Sequence, residues 1–487
     1  MRDQVGRRAV LRLCGGLAAF AGGLENLRAA EQRGGAPLNI IWMVADGMSP
    51  GVLPLAEHFS ILARGKSTIW TSLYKTPGTS RGLMDMASLE SIVTDSSSAS
   101  STWATGSRIL NSWVNMLPDG TPLVPIGVLA HNRGQRVGLV TTTTVTHATP
   151  AGFAAISRER DDEAGIATQY IDVCDVVLGG GSSFFEAATR RDKRDLLAKG
   201  PRLLGLFSRS HLPYTLDLRN DPTVGPDVPT LAEMAETALR LLEGSRRGFL
   251  LQIEGGRVDH AAHDNDAASM LWEQLGFDDA IGVVLRFAEK NPDTLVVITT
   301  DHGNANPGLN GTGSEYAQSN ECFRRLLDAK SSVSRVTPKI TVRPAADAPR
   351  GAPRPKPSAQ VVNEVIKATY GVALAADETE WLRSTMGGAR RVTIGRQYDR
   401  AAGVLGQILS NYHGIGWTGT SHTSDYSVVA ALGPGSSRFQ GFIRNTDVFD
   451  TLREFMEIEY RNPSMTPERA KQLQVARVGR PQLPHWV

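Results

Sequence analysis

One short segment contains three side chains that could bind a metal ion or take part in catalysis. An apolar run ends on Glu254, and Asp259 and His263 follow it, four residues apart from each other. The run predicts a buried strand that delivers a carboxylate at its carboxyl end, where ligands collect in open α/β sheets. If a helix follows, the four-residue spacing places Asp259 and His263 on one face, which suits a zinc-sized ion. A solvated acidic helix start with a stray histidine is the alternative for this segment alone.

The same pattern recurs at other predicted strand ends. Asp46 follows one apolar run, and Asp301 and His302 follow another. Each residue alone has a structural alternative, since an Asp at a strand end is often a helix N-cap and a lone His is usually a satisfied polar residue. Together these carboxylates and imidazoles, without thiolates, favour more than one Zn²⁺, Mn²⁺ or Mg²⁺ ion. The remaining candidates beside predicted strands are His147, Thr149 and His422.

A candidate nucleophile lies in a serine-rich stretch. Ser96 follows Asp95, and small residues continue as far as Gly106. The pattern predicts a short helix with Ser96 at its amino end, where free backbone N–H groups and the helix dipole favour a phosphate dianion. No general base is adjacent in the sequence, so metal coordination is the expected means of activating the serine. A low-complexity serine loop is the alternative for the run by itself.

Short β-branched runs alternate with amphipathic stretches along the chain. This alternation predicts an α/β fold, a three-layer sandwich with a mostly parallel central sheet between helices. The predicted strands are residues 39–44, 137–143, 173–178, 249–254, 295–300 and 426–432. The predicted helices are residues 230–243, 267–290, 359–370, 379–386, 399–409 and 448–460.

The chain has 487 residues, which exceeds the size at which single cores usually stop growing. We predict a core in two parts, residues 36–302 and 422–487, interrupted by a large insertion at residues 303–421 between the last core strands. The insertion contains a Pro- and Arg-rich piece at 337–357, which should resist regular structure. We expect the insertion to cover the site or to make a subunit contact.

The amino-terminal residues 1–30 are predicted to be an export signal. Arg7 and Arg8 precede a Gly- and Ala-rich apolar run that is too short to span a bilayer, a pattern that resembles a twin-arginine signal. We therefore expect a periplasmic or secreted protein with no membrane span in the mature chain. The formal net charge of +2 comes from this segment, which holds five arginines and two acidic residues, so a nucleic-acid-binding surface is not predicted.

Taken together, these motifs resemble the alkaline phosphatase family. They occur in the family's order and span about residues 39 to 435. The matching motifs are Asp-Gly-Met at Asp46, Thr-Asp-Ser ending at Ser96, Ala-Thr-Pro after His147, the ten residues from Glu254 to His263, Asp301-His302, and His422-Thr423.

The resemblance implies a role for each of these residues. Ser96 would be the nucleophile that attacks phosphate monoesters and forms a phosphoserine intermediate. One zinc would bind the leaving-group oxygen, a second would stabilise the Ser96 alkoxide, and a magnesium ion would complete the centre. The implied ligands are Asp259, His263 and His422 for the first zinc, Asp46, Asp301 and His302 for the second, and Asp46, Thr149 and Glu254 for magnesium.

The resemblance also implies an arginine that clamps the phosphate with its bidentate fork. Arg158 matches the family's motif best, and Arg160 is the alternative because the preceding segment is shorter than usual. Asp95, His147 and His260 are expected beside the ligands. His147 stands where family members carry Asp or His, and His260 replaces a Lys found in some, so both bear on the metal preference of the third site.

The leading prediction is therefore an exported phosphomonoesterase, with a homodimer left open and no nucleic acid as a stable partner. One alternative is a related metal-dependent hydrolase of phosphodiesters or sulfate esters. Another is a catalytically silent protein that binds phosphate or metal. The silent alternative predicts missing ligands, and no ligand position of the motifs is missing from the sequence.

Overall fold

The computed structural model describes residue 36 and residues 38–185, 202–225, 227–342, 354–388 and 401–475. The predicted export signal, residues 1–30, and part of the Pro- and Arg-rich piece lie outside these ranges. Within the described ranges, no helix combines the length and the apolar character needed to cross a membrane.

One central sheet of nine strands organises the fold, in the order β13-β2-β12-β7-β1-β6-β3-β4-β5. Neighbouring strands are parallel except β12, which is antiparallel to both β2 and β7. Two small antiparallel sheets pair β8 with β11 and β9 with β10. The strands are β1 (Asn39–Val44), β2 (Ser80–Asp85), β3 (Arg136–Thr144), β4 (Val176–Gly180), β5 (Leu203–Leu206), β6 (Phe249–Glu254), β7 (Thr294–Thr299), β8 (Gly303–Asn304), β9 (Gly308–Leu309), β10 (Ile415–Gly416), β11 (His422–Thr423), β12 (Ser427–Leu432) and β13 (Gly441–Arg444).

Helices cover both faces of the central sheet. The helices of the described residues are α1 (Val52–Arg64), α2 (Ile69–Leu73), α3 (Ser96–Thr105), α4 (Ile126–Asn132), α5 (Ala148–Ala154), α6 (Glu163–Val173), α7 (Ser182–Phe185), α8 (Thr215–Asn220), α9 (Leu231–Leu242), α10 (Arg257–His263), α11 (Ala267–Lys290), α12 (Ser319–Arg324), α13 (Val333–Ile340), α14 (Ala359–Tyr370), α15 (Ala376–Met386), α16 (Ala401–His413), α17 (Asn445–Phe455) and α18 (Pro467–Val475).

The alternation of side chains along β1 explains the three layers. Successive residues of a strand point to opposite faces, so a strand buried on both faces is apolar throughout. Ile41 and Met43 join the core on the face covered by α1, α9 and α11. Trp42 joins the other core and contacts Trp103 of α3, with ring centroids 5.2 Å apart. The predicted three-layer sandwich with a mostly parallel sheet is confirmed.

Most predicted elements are found with small changes at their ends. The strands at 39–44 and 249–254 and the helix at 267–290 have the predicted bounds. The predicted strand at 173–178 was placed too early, because α6 continues to Val173 and β4 begins at Val176. The sequence pattern did not predict β2, β5 or β13. These strands are partly exposed and lack a continuous buried apolar run, which removes the signal used elsewhere.

The residues between β7 and β12 contain mostly helices, α12 to α16, together with the two small sheets. These helices extend the core on the α1 and α11 side of the central sheet. Phe323 of α12, for example, lies against Phe59 of α1, with ring centroids 6.3 Å apart. A role of residues 303–421 in covering the site or in subunit contact stays a prediction.

The four adjacent strands β7, β1, β6 and β3 are parallel, so their carboxyl ends meet at one edge of the sheet. In this register Val44 lies beside both Glu254 and Thr299, and Glu254 lies beside Thr141. Polar residues that end or follow these strands are therefore brought together, as expected for ligand sites of open α/β sheets.

Candidate active site

Ser96 is buried and is the first residue of α3, as its sequence context predicts. Asp95 caps this helix, and its Oδ1 accepts a hydrogen bond from the Ser98 N–H at 2.9 Å. The cap fixes the first turn and with it the serine hydroxyl. Ser96 Oγ lies 3.1 Å from His302 Nε2 and 3.5 Å from Asp46 Oδ1. The hydroxyl is therefore placed directly against the residues at the ends of β1 and β7.

The first ligand cluster contains Asp259, His263 and His422. The helix α10 carries Asp259 and His263 one turn apart, and His263 Nε2 lies 3.3 Å from Asp259 Oδ2. His422 belongs to β11 and approaches from the other side, with its Nε2 3.7 Å from Asp259 Oδ1. Asn304 Nδ2 donates a hydrogen bond to Asp259 Oδ1 at 2.7 Å, which orients the carboxylate.

Hydrogen bonds to the backbone determine which nitrogen of each imidazole carries its proton. Nδ1 donates to a backbone carbonyl, at 2.6 Å for His263, 2.9 Å for His422 and 3.3 Å for His302. A carbonyl oxygen only accepts, so each Nε2 presents a lone pair to the site. His263 Nε2 and His422 Nε2 are only 3.1 Å apart, an arrangement that a shared cation would stabilise. Burial lowers the pKa of His302 to about 4 and that of His422 to about 3, which keeps both rings neutral near pH 7.

The second cluster contains Asp46, Asp301 and His302. Asp301 Oδ1 accepts hydrogen bonds from the backbone N–H groups of Gly47 and His302, each at 3.0 Å. Asp301 Oδ2 is buried without a hydrogen-bond partner among the described residues, and His302 Nε2 lies 3.3 Å from it. Burial raises the pKa of Asp301 to about 7, and the neighbouring carboxylate of Asp259 adds to the shift. This oxygen is available to a cation.

The third cluster lies between β6 and the start of α5. Glu254 Oε2 accepts hydrogen bonds from the hydroxyls of Thr141 and Thr143, whereas its Oε1 is buried and has no partner within the described ranges. Thr149 Oγ1 donates to Asp46 Oδ2 at 3.4 Å. Three oxygen-bearing side chains thus face one small space.

His147 borders the third cluster with a proton rather than a lone pair. Arg160 Nη2 donates to His147 Nε2 at 3.0 Å, and because a guanidinium only donates, the imidazole proton is on Nδ1. Nδ1 faces Glu254 Oε1 at 3.7 Å and Asp46 Oδ2 at 3.9 Å. In this arrangement His147 lies beside the third cluster as a donor.

The three clusters together bury four carboxylates, those of Asp46, Glu254, Asp259 and Asp301. Burial raises the pKa of Asp46 well above its ordinary value, and the carboxylates of Asp301, Asp259 and Glu254 raise it further. Buried like charges at this spacing require compensation by cations. The unpaired oxygens and the imidazole lone pairs supply ligands for them, so the donor set fits divalent metal ions.

Arg160 contacts Asp95, the residue that precedes Ser96. Its Nη1 lies 3.2 Å from Asp95 Oδ2, and Asp95 and Asp46 raise the pKa of Arg160 although burial opposes this. Arg158 is exposed, and its guanidinium packs beside Gly120. Arg158 was predicted as the better sequence match and Arg160 as the alternative, and which of them binds phosphate stays a prediction.

The sequence model of one protein family, described as alkaline phosphatase, matches residues 38–202 and 192–458. The chain belongs to the alkaline phosphatase family. Alkaline phosphatase 4 of Bacillus subtilis (strain 168) is 28% identical over 438 residues, which are 84% of this chain and 86% of that protein.

Solved structures of the family agree with this assignment. The crystal structure of Thermus thermophilus alkaline phosphatase superposes with a TM-score of 0.79 at 32% identity, covering 92% of this chain and 98% of that chain. The crystal structure of the cold-active alkaline phosphatase of the psychrophile Shewanella sp. has a TM-score of 0.68 at 26% identity, and the match covers 86% of this chain and 99% of that chain. The chain is therefore a phosphatase, and its ligand clusters agree with the divalent metal ions of an alkaline phosphatase.

Several residues of this alkaline phosphatase site were not predicted from the sequence. Thr141 and Thr143 orient Glu254, and their signal was the row of threonines at the end of β3. His211 and Arg257 lie close to His147 and His260, with the His211 and His147 rings 6.0 Å apart. His211 follows β5 in an irregular loop, where no periodic pattern marks it.

Proposed function

We propose that the chain is an exported alkaline phosphatase that hydrolyses phosphate monoesters through a phosphoserine at Ser96. The observation that carries the proposal is the position of Ser96 Oγ at the amino end of α3. It lies against His302 Nε2 and Asp46 Oδ1, where two of the ligand clusters meet. A helix amino end beside a cation-demanding cluster suits a transferring phosphoryl group.

For the metal ions, we propose two zinc ions and one magnesium ion. Mixed imidazole and carboxylate ligands suit zinc, whereas oxygen ligands alone suit magnesium. When bound, these cations would neutralise charge on the attacking and leaving oxygens and favour deprotonation of the serine. The proposed ligands are Asp259, His263 and His422 for one zinc, Asp46, Asp301 and His302 for the other, and Asp46, Thr149 and Glu254 for magnesium.

The chain's own residues position the reaction. Ser96 Oγ loses its proton and forms a bond to phosphorus as the bond to the leaving oxygen breaks. The leaving oxygen keeps the electron pair, takes up a proton and departs as the alcohol. Water then attacks phosphorus, the bond to Ser96 Oγ breaks, and inorganic phosphate and the protonated serine are released. Arg160 is held between Asp95 and His147, with Nη1 and Nη2 each fixed by one of them. We propose that its fork binds two phosphate oxygens, since a planar guanidinium matches them in a bidentate manner.

We also propose that residues 1–30 direct export by the twin-arginine route, which is supported by the arginine pair and the short apolar run. Replacing both Arg7 and Arg8 with Lys should leave the protein in the cytoplasm, as measured by cell fractionation and activity. Undiminished export of that variant would contradict the route without affecting the reaction.

Three aryl esters with one common leaving group test the reaction. Purified, metal-loaded protein should hydrolyse the phosphate monoester with a kcat/KM roughly a hundred-fold above those of the phosphodiester and the sulfate, because Arg160 and the cations match a dianion. The Ser96→Ala variant should lose monoester turnover by about a thousand-fold. A preference for the diester or the sulfate would contradict the proposal, and no turnover of any ester would favour a silent binding protein.

A further inference from the structure

A second group of polar side chains lies outside the ligand clusters. It consists of His211, His260 and Arg257, which we call the donor wall. The rings of His211 and His260 are 4.5 Å apart, and the ring of His147 lies 5.5 Å from that of His260. The three residues are half-buried, whereas Ser96 is buried, so the donor wall borders the outer side of the site.

Hydrogen bonds and ring packing hold the donor wall in place. The loop that carries His211 is tied to the end of β3, since the Leu212 N–H donates to the Thr142 carbonyl at 2.9 Å. The backbone N–H of Arg257 donates to Thr142 Oγ1 at 3.1 Å. The guanidinium of Arg257 lies 3.8 Å from the centre of the Tyr214 ring, a cation–π arrangement that fixes its plane.

The two histidines of the donor wall carry their ring proton on Nε2, whereas the histidines of the ligand clusters carry it on Nδ1. The backbone N–H of Thr144 donates to His211 Nδ1 at 3.0 Å, and Arg257 Nη1 donates to His260 Nδ1 at 2.7 Å. Neither donor accepts hydrogen bonds, so the ring proton of both histidines is on Nε2. His263 instead presents an Nε2 lone pair. The donor wall thus offers N–H groups in place of lone pairs.

Two guanidinium groups act on the donor wall. After burial, Arg257 is the largest cause that lowers the pKa of His211, and Arg160 adds to it, whereas the carboxylate of Asp259 raises the pKa of His260. Arg257 forms no ion pair with a carboxylate of the described residues, and its buried Nε has no acceptor there. Fixed N–H donors together with an unpaired cation match a ligand that carries negative charge and acceptor oxygens.

We propose that the donor wall is a subsite for a second acidic group, a carboxylate or a phosphate, on the leaving group of the substrate, and that His211 determines this specificity. The inference rests on the proposed phosphomonoesterase activity. Because Ser96 is buried, a leaving group has to extend outward past half-buried residues, and His260 directly follows Asp259 of the first cluster.

Three monoesters with two-carbon leaving groups test the subsite. They are 2-phosphoglycolate, which is anionic, ethyl phosphate, which is neutral, and phosphoethanolamine, which is cationic. The wild type should favour 2-phosphoglycolate over phosphoethanolamine in kcat/KM by about ten-fold or more, and His211→Phe should reduce this ratio about five-fold. His211→Gln should restore most of the ratio because its amide keeps an N–H donor.

The exposed His58 of α1 provides the matched control, and His58→Phe should leave the ratio at the wild-type value. A ratio in His211→Phe within two-fold of the wild type would overturn the subsite. The bisphosphate of ethane-1,2-diol, compared with ethyl phosphate, extends the test to a second phosphate. A loss confined to one of the two acids would assign the subsite to that acid.

Binding measurements separate this inference from the proposed reaction. In a Ser96→Ala background, calorimetry gives affinities for 2-phosphoglycolate and for inorganic phosphate. Adding His211→Phe should lower the affinity for 2-phosphoglycolate about five-fold more than the affinity for inorganic phosphate. An equal change in the two affinities would overturn the subsite. If the selective loss is seen but wild-type protein does not hydrolyse ethyl phosphate, the reaction is refuted and the subsite stands.

Discussion

At the scale of single residues, the hydrogen-bond partner of each imidazole determines the chemistry that the imidazole can perform. His263, His302 and His422 donate through Nδ1 to carbonyls and so present lone pairs, which suit metal ions. His211 and His260 accept at Nδ1 and so present N–H groups, which suit anions. Residues of one type are therefore prepared for two different kinds of ligand by their hydrogen-bond partners.

The proposed phosphate contact of Arg160 can be tested against Arg158. Arg160→Ala should raise the inhibition constant for inorganic phosphate about ten- to hundred-fold, because a bidentate charge-assisted pair is lost. Arg158→Ala is the matched control and should change it by less than about two-fold, since this side chain is exposed. Competitive inhibition of monoester hydrolysis by inorganic phosphate gives the inhibition constant of each variant. A larger effect in Arg158→Ala would show that the sequence match, and not the geometry, was right.

At the scale of elements, strand ends and helix starts bring the ligands together. The turn after β1 packs closely against α10. Gly47 has a φ of +67°, and a methyl group there would lie 2.3 Å from Asp259 Oδ1 on α10. Only glycine accommodates both the left-handed backbone and this contact.

Gly65 offers a control for that turn, because its φ is +68° and nothing lies within 4 Å of an added methyl group. Both Gly47→Ala and Gly65→Ala incur the backbone cost of about 1 kcal/mol. Gly47→Ala should lower the free energy of unfolding by about 2 kcal/mol more, because Asp259 is displaced, and it should also reduce the content of bound metal. Urea unfolding and metal analysis measure these effects. Equal losses in the two variants would contradict the close contact.

Element ends also explain what the sequence could predict. Asp46, Glu254 and Asp301 were predictable because each ends or follows a buried apolar run that identifies a strand. His211 was not predictable, because a long-range hydrogen bond to Thr144 places it, and such a bond leaves no periodic pattern. Two further points could not be decided from the sequence. The choice between the two arginines depends on the local path of an irregular loop, and β2 and β13 are too exposed to show a strand pattern.

His413, at the end of α16, should make the stability of the protein depend on pH. Burial lowers the pKa of His413 to about 4 from its ordinary value of 6.5, so the folded protein keeps this ring neutral while the unfolded chain takes up a proton below pH 6.5. Its contribution to stability is complete above pH 6.5 and is lost as the pH falls toward 4. His413→Asn keeps an acceptor for the Ile415 N–H, which now donates to His413 Nδ1 at 3.1 Å.

The stability of the wild type relative to His413→Asn should therefore decrease by about 2 to 3 kcal/mol between about pH 7 and pH 4.5. Denaturant unfolding of both proteins across this range measures it, and effects of metal loss cancel in the difference. A difference that stays constant with pH would contradict the burial of a neutral ring.

At the scale of the whole molecule, four buried carboxylates lie together at one edge of the central sheet. The stability of the protein should therefore depend on cations. Removing metals with a chelator should lower the free energy of unfolding by about 4 kcal/mol relative to protein in zinc at about a thousand times its dissociation constant. Asp301→Asn should be less stable than the wild type with metals present but more stable without them, because it removes one repelling charge. Thermal unfolding with and without chelator measures both effects. The same order of stability with and without metals would contradict the compensation of the buried carboxylates by cations.

The proposed reaction requires that Ser96 carries the phosphoryl group during turnover. Metal-loaded protein is mixed with a phosphate monoester, quenched in acid, digested and analysed by mass spectrometry. We expect one phosphoryl group on Ser96 in the wild type and in Ser97→Ala, and none in Ser96→Ala. Label on another residue, or monoester turnover by Ser96→Ala at the wild-type rate, would contradict it.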